Sequence, residues 1–406
     1  MELLPILKSL RRNKIGAALI ALQIALTLAI VCNSLTIIQR HLEQMHRPSG
    51  VDEPDTFTFA NQWVGQPEDL EARVRADLAA IRATPGVVDA IASNSFPLRG
   101  GGWSTGLNLK PDQKFQSTPT SQYFVDEHGL AALGLHLVAG RWFTPAEVGV
   151  FSGHEIRTPP SVVVTQDLAR ALFPSGNALG QEVYDNPDHP SRIVGIVERA
   201  QTPWPAFSWG ESFIEKSTFE PYLFVNNDYM FYIVRARPGQ LATVMREVQD
   251  RLYAITRQRV IQQVHTFAET RSRAYALLHS TSVLLTVVCA MLLAITVFGI
   301  VGLTMYWVAQ RRRQIGMRRA LGARRADILR YFHTENLLIA GSGAVLGIAL
   351  GLGANLYLAT HLELGRMSVA YICAGAAIVL AVSQAAVFWP ALRAASISPA
   401  IATRGM

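Results

Sequence analysis

RRRQIGMRRALGARRADILRYFHTE, Arg311 to Glu335, holds eight arginines in twenty-five residues and lies between two apolar runs, Leu277 to Val308 and Leu337 to Leu358. Each run can form a helix that crosses a hydrocarbon core, which takes about 20 residues. A short cationic connector between two such helices stays on the cytoplasmic side, because arginine is costly to translocate. Gly322 is a natural helix stop. The connector therefore divides into a short helix, Gln314 to Leu321, and a longer one, Arg324 to Leu358, that enters the membrane. Met317, Ala320 and Leu321 share a face of the short helix, with Arg318 and Arg319 beside them. That mixture suits a shallow protein groove, while enforcing topology and touching lipid phosphates accounts for the arginines as well.

Working outward, the 406-residue chain is 50% hydrophobic with positive mean hydropathy, which places it in the membrane class. Its net charge of +7 is unevenly spread. Residues 41 to 275 carry 21 basic and 26 acidic residues, against 16 and 4 in the flanks. The middle therefore reads as a mildly acidic soluble domain and the flanks as basic membrane segments. Nucleic acid is excluded as a partner, since the positive charge borders apolar helices instead of forming an accessible phosphate-tracking face. Cys32, Cys289 and Cys373 all fall in apolar runs, with no disulfide or metal-type spacing.

Residues 1 to 14 read as a cytoplasmic amphipathic entry helix along the inner leaflet, and 15 to 38 as an uncleaved first transmembrane helix. Residues 41 to 275 form one large excursion. In it, Asp55 to Ala60, Pro67 to Ala83 and Val87 to Ala92 read as strand, helix and strand. The order returns at Met230 to Ala236, Gln240 to Ile255 and Val260 to Thr266. Two such units suggest a split βαβ module built from 41–100 and 220–275, with 100–220 as an inserted, mostly β lobe carrying a short helix at Gln166 to Leu172. The second apolar run, 276 to 308, exceeds one bilayer crossing, so it extends as a stalk or tilts strongly. The connector spans 309 to 335, the third and fourth crossings are 337 to 358 and 369 to 388, and 389 to 406 is a cytoplasmic tail. Thr360 to Met367 is a short external loop. Gly343, Gly347 and Gly351 recur every four residues, as a helix packing seam would require, although glycine is also common in membrane helices. Gln23, Asn33, Asn355 and Gln384 are candidate interhelical hydrogen bonders.

The chain shows no engine of its own. The nearest approach to a phosphate-binding loop, Gly210 to Ser217, puts Glu215 where the second glycine belongs. Asp185, Asp188 and His189, and likewise His154 and Glu155, lack metal-ligand spacing. No catalytic, cofactor-binding or metal site is expected. Trp204, Phe207, Trp209 and Phe213, broken by Pro203 and Pro205, either pack as a satellite core or form a periplasmic contact surface.

The connector together with Glu335, and the tail from Trp389 through Pro390-Ala391-Leu392-Arg393, resemble MacB/FtsX-type ABC-transporter permeases. Gly134 to Glu147, Val162 to Val183 and Ile193 to Ala200 resemble the MacB-like periplasmic core domain. The resemblance implies a bacterial inner-membrane protein with four transmembrane α-helices and a large α+β periplasmic domain, with porter-like and sabre-like subdomains, inserted between helices 1 and 2. It implies a dimer with a second copy or paralogue, and contacts with membrane lipids and with a periplasmic adaptor or substrate. It further implies mechanotransmission, in which a separate cytoplasmic ATPase holding ATP-Mg drives the periplasmic domain. Gln314, Ile315, Met317, Arg318, Arg319, Leu321, Gly322 and Glu335 would then be the ATPase-coupling residues. Gln314 departs from the glutamate common in the family, which puts a charge pair there in doubt. The same plan fits an FtsX-like scaffold that activates a periplasmic partner, or lipoprotein extraction like that of LolC and LolE. A sensor-type receptor is disfavoured because no output domain is visible.

Overall fold

The computed structural model describes residues 14–65, 68–111, 113, 118–153, 158–362 and 368–397, without side-chain description at 208, 209, 358, 359, 361 and 362. Residues 1–13 of the expected entry helix, His154 and Glu155, the Trp209 side chain, 363–367 of the external loop and 398–406 of the tail lie outside the described residues. The chain divides into an inserted unit, Gln44–Leu278, and a helical unit formed by the segments before and after it. In chain order the elements are α1 (Lys14–His46), β1 (Thr56–Trp63), α2 (Leu70–Arg82), β2 (Val87–Ser93), β3 (Trp103–Leu107), β4 (Thr118–Val125), α3 (Gly129–Leu133) and β5 (Leu137–Gly140). Then come β6 (Gly149–Phe151), β7 (Ser161–Thr165), α4 (Gln166–Leu172), β8 (Glu182–Asn186), β9 (His189–Val197), β10 (Ser217–Phe224), β11 (Phe231–Ala236), α5 (Leu241–Ile255) and β12 (Arg259–Thr266). The last are α6 (Phe267–Ala274), α7 (Ala276–Gln310), α8 (Arg312–Ala320), α9 (Arg325–Leu362) and α10 (Val369–Ala395).

The inserted unit contains a four-stranded antiparallel sheet in the order β12-β1-β11-β2. That order separates β1 from β2 by β11, and β11 from β12 by β1, which is the split βαβ arrangement the repeated strand-helix-strand pattern predicts. Val74, Leu78 and Ile81 of α2, with Val244, Val248 and Leu252 of α5, cover one face against Phe57, Phe59, Tyr232 and Val234. On β11 the alternate residues Phe231 and Ile233 face the other way, into a core with Tyr123, Val163, Val197 and Phe219. Both faces of the strand are thus buried, so its sequence is a near-continuous apolar run instead of an alternating one.

The remaining strands form a mixed sheet, β3-β4-β10-β7-β9-β5, with β6 on the far end of β10 and β8 beside β9. Residues on both sides of the expected boundaries at 100 and 220 share cores. Phe124, Phe151 and Phe224 join the cluster under α2 and α5, and β10 continues through Phe224. Only the layer under α4, with Val162, Val164, Leu168, Leu172 and Ile193, belongs to the second sheet alone. The β7 and α4 boundaries match the expected strand at Ser161 to Thr165 and helix at Gln166 to Leu172. The short helix α3 has no expected counterpart, because five residues are too few to show helical periodicity.

The helical unit has four helices long and apolar enough to cross a membrane. The chain is therefore a membrane protein with four transmembrane helices and an α+β unit between the first and second. In the bundle, α1 touches three neighbours. Thr27 and Thr296 hydroxyls meet at 2.9 Å on α7. Asn33 Nδ2 donates to Gly351 O on α9 at 3.2 Å. Cys32 of α1 packs where a Cβ on Gly375 of α10 would be. Both α1 and α7 outrun the expected crossings.

Two buried polar features set the stability of the inserted unit. Arg259 on β12 donates two 2.8 Å bonds to the Asp77 carboxylate on α2, and the Tyr232 hydroxyl donates to the same group at 2.9 Å. Both charged side chains are 1% exposed. A pair this buried contributes little net stability, but removing one partner strands the other charge at a cost of about 3–5 kcal/mol. Asp77→Ala is therefore expected to lower the thermal midpoint of the full chain by about 6 °C or more, whereas the apolar double variant Asp77→Leu with Arg259→Met recovers most of the loss. Glu220 on β10 is the second feature. Burial, reinforced by the neighbouring Asp185 charge, pushes its carboxyl up to about 8, against a partial offset from Gln122. The folded state then binds the extra proton between the ordinary value of 4.5 and about 8, so stability falls as pH rises through that window and is flat above it. Glu220→Gln is expected to raise the midpoint at pH above about 8 and to flatten its slope between about 4.5 and 8; an unchanged slope would show that Glu220 ionises freely in the fold.

Candidate functional site

The arginine-rich connector folds as α7, a single-residue break at Arg311, the nine-residue helix α8, and a tight turn into α9. Helical hydrogen bonding continues through the break, with Arg311 N donating to Trp307 O and Ile315 N to Arg311 O, each at 3.0 Å. α8 is therefore nearly an extension of α7. Its end is abrupt. Gly322 has φ +98°, a left-handed conformation available to glycine without a Cβ clash. Gly322 N donates to Arg319 O at 3.2 Å and Ala323 N to Arg318 O at 3.0 Å, which closes the last turn. Asp327 then caps α9, its carboxylate accepting from Arg324 N at 2.9 Å.

An ion pair holds the turn. Arg311 Nη1 reaches both oxygens of Glu335, at 3.0 and 2.9 Å. The Glu335 side chain is 2% exposed and that of Arg311 13%. The pair bolts the start of α8 to α9 one turn before that helix becomes wholly apolar. The carboxylate is in place because an isolated arginine at this depth would be costly. Arg318 stacks 5.2 Å from the Tyr331 ring, and Arg319 donates to Ile397 O at 2.6 Å.

The eight expected coupling residues separate into two sets. Gln314, Met317, Arg318, Leu321 and Gly322 are exposed, with Met317 and Leu321 at 60% and 83%. The 314, 317/318, 321 spacing puts the four side-chain-bearing positions on one helical face. Ile315, Arg319 and Glu335 turn inward. Ile315 sits in the bundle core with Ile328, Phe332 and Ala391. These three residues support the exposed face from behind. Arg311 was not distinguishable by sequence from its neighbours Arg312 and Arg313. The available signal was the need of a carboxylate at the edge of an apolar run for a buried counter-charge.

The glycine stripe lies against α1 of the same chain. A Cβ on Gly343 would sit 2.6 Å from Ala21 O, and one on Gly347 would sit 2.8 Å from Ala25 O. The packing seam that the glycine spacing suggests therefore runs between α9 and α1 of the same chain. In the inserted unit, Phe213 is 5% exposed and its ring stacks edge-on to Trp204 at 6.4 Å, while Phe207 is 51% exposed. Asp185 accepts from Thr105, and Asp188 and His189 form the β8–β9 turn.

The exit of the inserted unit is clamped to its entrance. Arg271 on α6 donates to Met45 O at 2.8 Å, to Arg47 O at 3.0 Å and to the Glu53 carboxylate. Gln201 accepts from the Tyr275 hydroxyl at 3.0 Å and donates to Arg47 O and Pro48 O at 2.9 Å. Burial pushes the Glu53 carboxyl up, but bonds from Arg271 and Ser49 outweigh it and the net shift is downward.

Residues 17–251 match the family model described as the MacB-like periplasmic core domain, and residues 286–399 match the FtsX-like permease C-terminal model. The chain belongs to the MacB-like permease family. Among curated relatives, the macrolide export ATP-binding/permease protein MacB of Azoarcus sp. (strain BH72) is 25% identical over 348 residues, covering 82% of this chain and 48% of that protein. The MacB of Agrobacterium fabrum is 29% identical over 230 residues, 54% of this chain and 33% of that one. The chain thus spans about half the length, or less, of the curated relatives it matches. The solved periplasmic region of MacB from Actinobacillus actinomycetemcomitans is 18% identical, with TM-score 0.33, over 54% of this chain and 94% of that one. One matched model describes a permease C-terminal part and the other a periplasmic core domain, in keeping with the four-helix unit and the inserted unit.

The α1–α9 contact is directly testable. Gly343→Ala and Gly347→Ala each force a methyl group against a backbone carbonyl, and overpacking of this kind costs about 1–3 kcal/mol. Both are expected to lower the thermal midpoint of the purified protein, while Gly353→Ala, where the position is open, leaves it unchanged.

Proposed function

We propose that this MacB-like chain is the permease subunit of an ABC transporter and relays ATP hydrolysis on a separate cytoplasmic ATPase to its periplasmic unit. The observation that carries the reading is the exposed face of Gln314, Met317, Arg318 and Leu321, mounted on a short helix whose start is fixed by the buried Arg311–Glu335 pair. Apolar tips flanked by cations on a braced helix have the character of a docking element: rim charges steer a partner and buried apolar anchors hold it. ATP and magnesium belong to the partner in this scheme. Positive-inside topology supports a multi-pass inner-membrane protein with this connector and both termini cytoplasmic and the inserted unit periplasmic. A second permease copy or paralogue is part of this proposal as the family resemblance implies it. Export or another envelope movement is the output, with partner activation of the FtsX kind and lipoprotein extraction as the alternatives within the same coupling scheme.

The test uses the full chain and the ATPase that copurifies with it in mild detergent. The triple variant Met317→Asp, Arg318→Glu, Leu321→Asp is expected to weaken their association at least about tenfold and to remove permease-dependent modulation of ATP hydrolysis, while destabilising the fold by no more than loss of the Arg318–Tyr331 stack, about 1 kcal/mol. Arg319 is left intact because it holds Ile397. Undiminished association and modulation in the triple variant would overturn the docking assignment.

A further inference from the structure

We propose that a pocket in the inserted unit binds a single-chain anionic amphiphile. The cavity measures about 350 Å³ and lies where the Phe96–Gly100 segment meets the junction of β12 and α6. That volume falls within the range of about 300–1,000 Å³ of small-molecule sites. Its floor is apolar, with Phe96, Leu98 and Phe231 all buried in the core beneath. Its polar lining is cationic or neutral. Arg99, Arg273 and His265 line it, and among the described residues no aspartate or glutamate does.

Three features mark the pocket as built for a ligand. Arg99 stacks 3.9 Å over the Phe231 ring; its backbone N donates to Phe96 O, and among the described residues its guanidinium makes one hydrogen bond, from Nη1 to Gly101 O, with Nε buried and unpartnered. The Arg273 side chain is exposed and has no hydrogen-bond or ion-pair partner among the described residues, although its carbonyl accepts from Tyr275 N at the end of α6. The two non-glycine residues with left-handed backbone among the described residues, Leu98 at φ +69° and Gln263 at φ +52°, both line this cavity. Strained conformations of this kind concentrate at ligand sites, where they aim side chains. Gln263 belongs to the β-bulge opposite Phe59 that breaks the β1–β12 register, and bulges re-aim the residues that follow, here His265. Leu98 is fixed by its bond to Thr202 O and by Gly100 bonding to Pro203 O at 2.7 Å. Two guanidinium groups lining an otherwise apolar and neutral cavity select a carboxylate or phosphate head on an alkyl chain. A neutral hydrophobe would leave the cations unused, and a cationic amphiphile would be repelled.

The experiment uses the full chain in nanodiscs of zwitterionic lipid and a dodecanoate analogue bearing a terminal photoreactive diazirine, with adducts mapped by mass spectrometry. Labelling is expected within 96–100, 206–207 and 263–277. Excess dodecanoate or dodecyl phosphate should suppress it by about tenfold or more, and dodecanol or dodecyltrimethylammonium should not. Arg273→Glu should weaken dodecanoate competition about tenfold without moving the thermal midpoint, and Arg273→Lys should retain it. Doping the zwitterionic bilayer with single-chain lysophosphatidylglycerol tells the source: suppressed labelling identifies a ligand drawn from the bilayer, and undiminished labelling a free amphiphile, the site standing in both cases. Suppression by dodecanol equal to that by dodecanoate, adducts elsewhere, or Arg273→Glu indistinguishable from the unaltered protein would overturn the proposal. No ATP is present, so this failure is separate from any failure of the coupling scheme.

Discussion

Arg271 carries the constraint on which the inserted unit depends. A domain placed between two membrane helices must begin and end at neighbouring points, and an unrestrained loop at either end would let it drift. Arg271 closes that gap by donating to Met45 O, Arg47 O and Glu53, while the fully buried Gln201 ties Tyr275 to Arg47 and Pro48. Charge-assisted bonds to carbonyls and a carboxylate are directional and short, so the clamp is stiff.

The same logic recurs at the connector. α8 continues the hydrogen-bond ladder of α7 with a break of one residue, and the Arg311–Glu335 pair fixes that break to α9. Glycine at 322 then ends the helix at a defined residue. The result is a short element whose exposed face is presented by rigid neighbours. Within the bundle, α1 supplies the common surface, and glycines of α9 bring the two backbones close enough that a methyl group would collide with a carbonyl.

Much of the fold was legible in the sequence because it rests on periodicity and on punctuation. Four apolar runs, the two strand-helix-strand units, and the β7–α4 pair all follow from local pattern. The parts that were not legible depend on what lies on the other side of an element. β11 is apolar on both faces because residues from the second sheet cover the face away from α2 and α5, so the insert and the module share cores that no local pattern separates. The glycine stripe announced a close contact but not its partner. Ile315 looks like any apolar residue of an amphipathic turn, yet it points into the bundle while Met317, two residues on, points out.

By itself the sequence determined which segments are helices long and apolar enough to cross a membrane, where the arginines gather, and the strand order of the first sheet through its repeated pattern. These are consequences of hydrophobicity, charge and hydrogen-bond periodicity along neighbouring residues. Tertiary structure alone decided which arginine is paired with Glu335, which face of α8 is free, how Arg271 joins the two ends of the inserted unit, and that Leu98 and Gln263, 165 positions apart in number, strain toward one cavity. Each of these is a contact between residues distant in sequence, and its energy depends on geometry that no local pattern encodes.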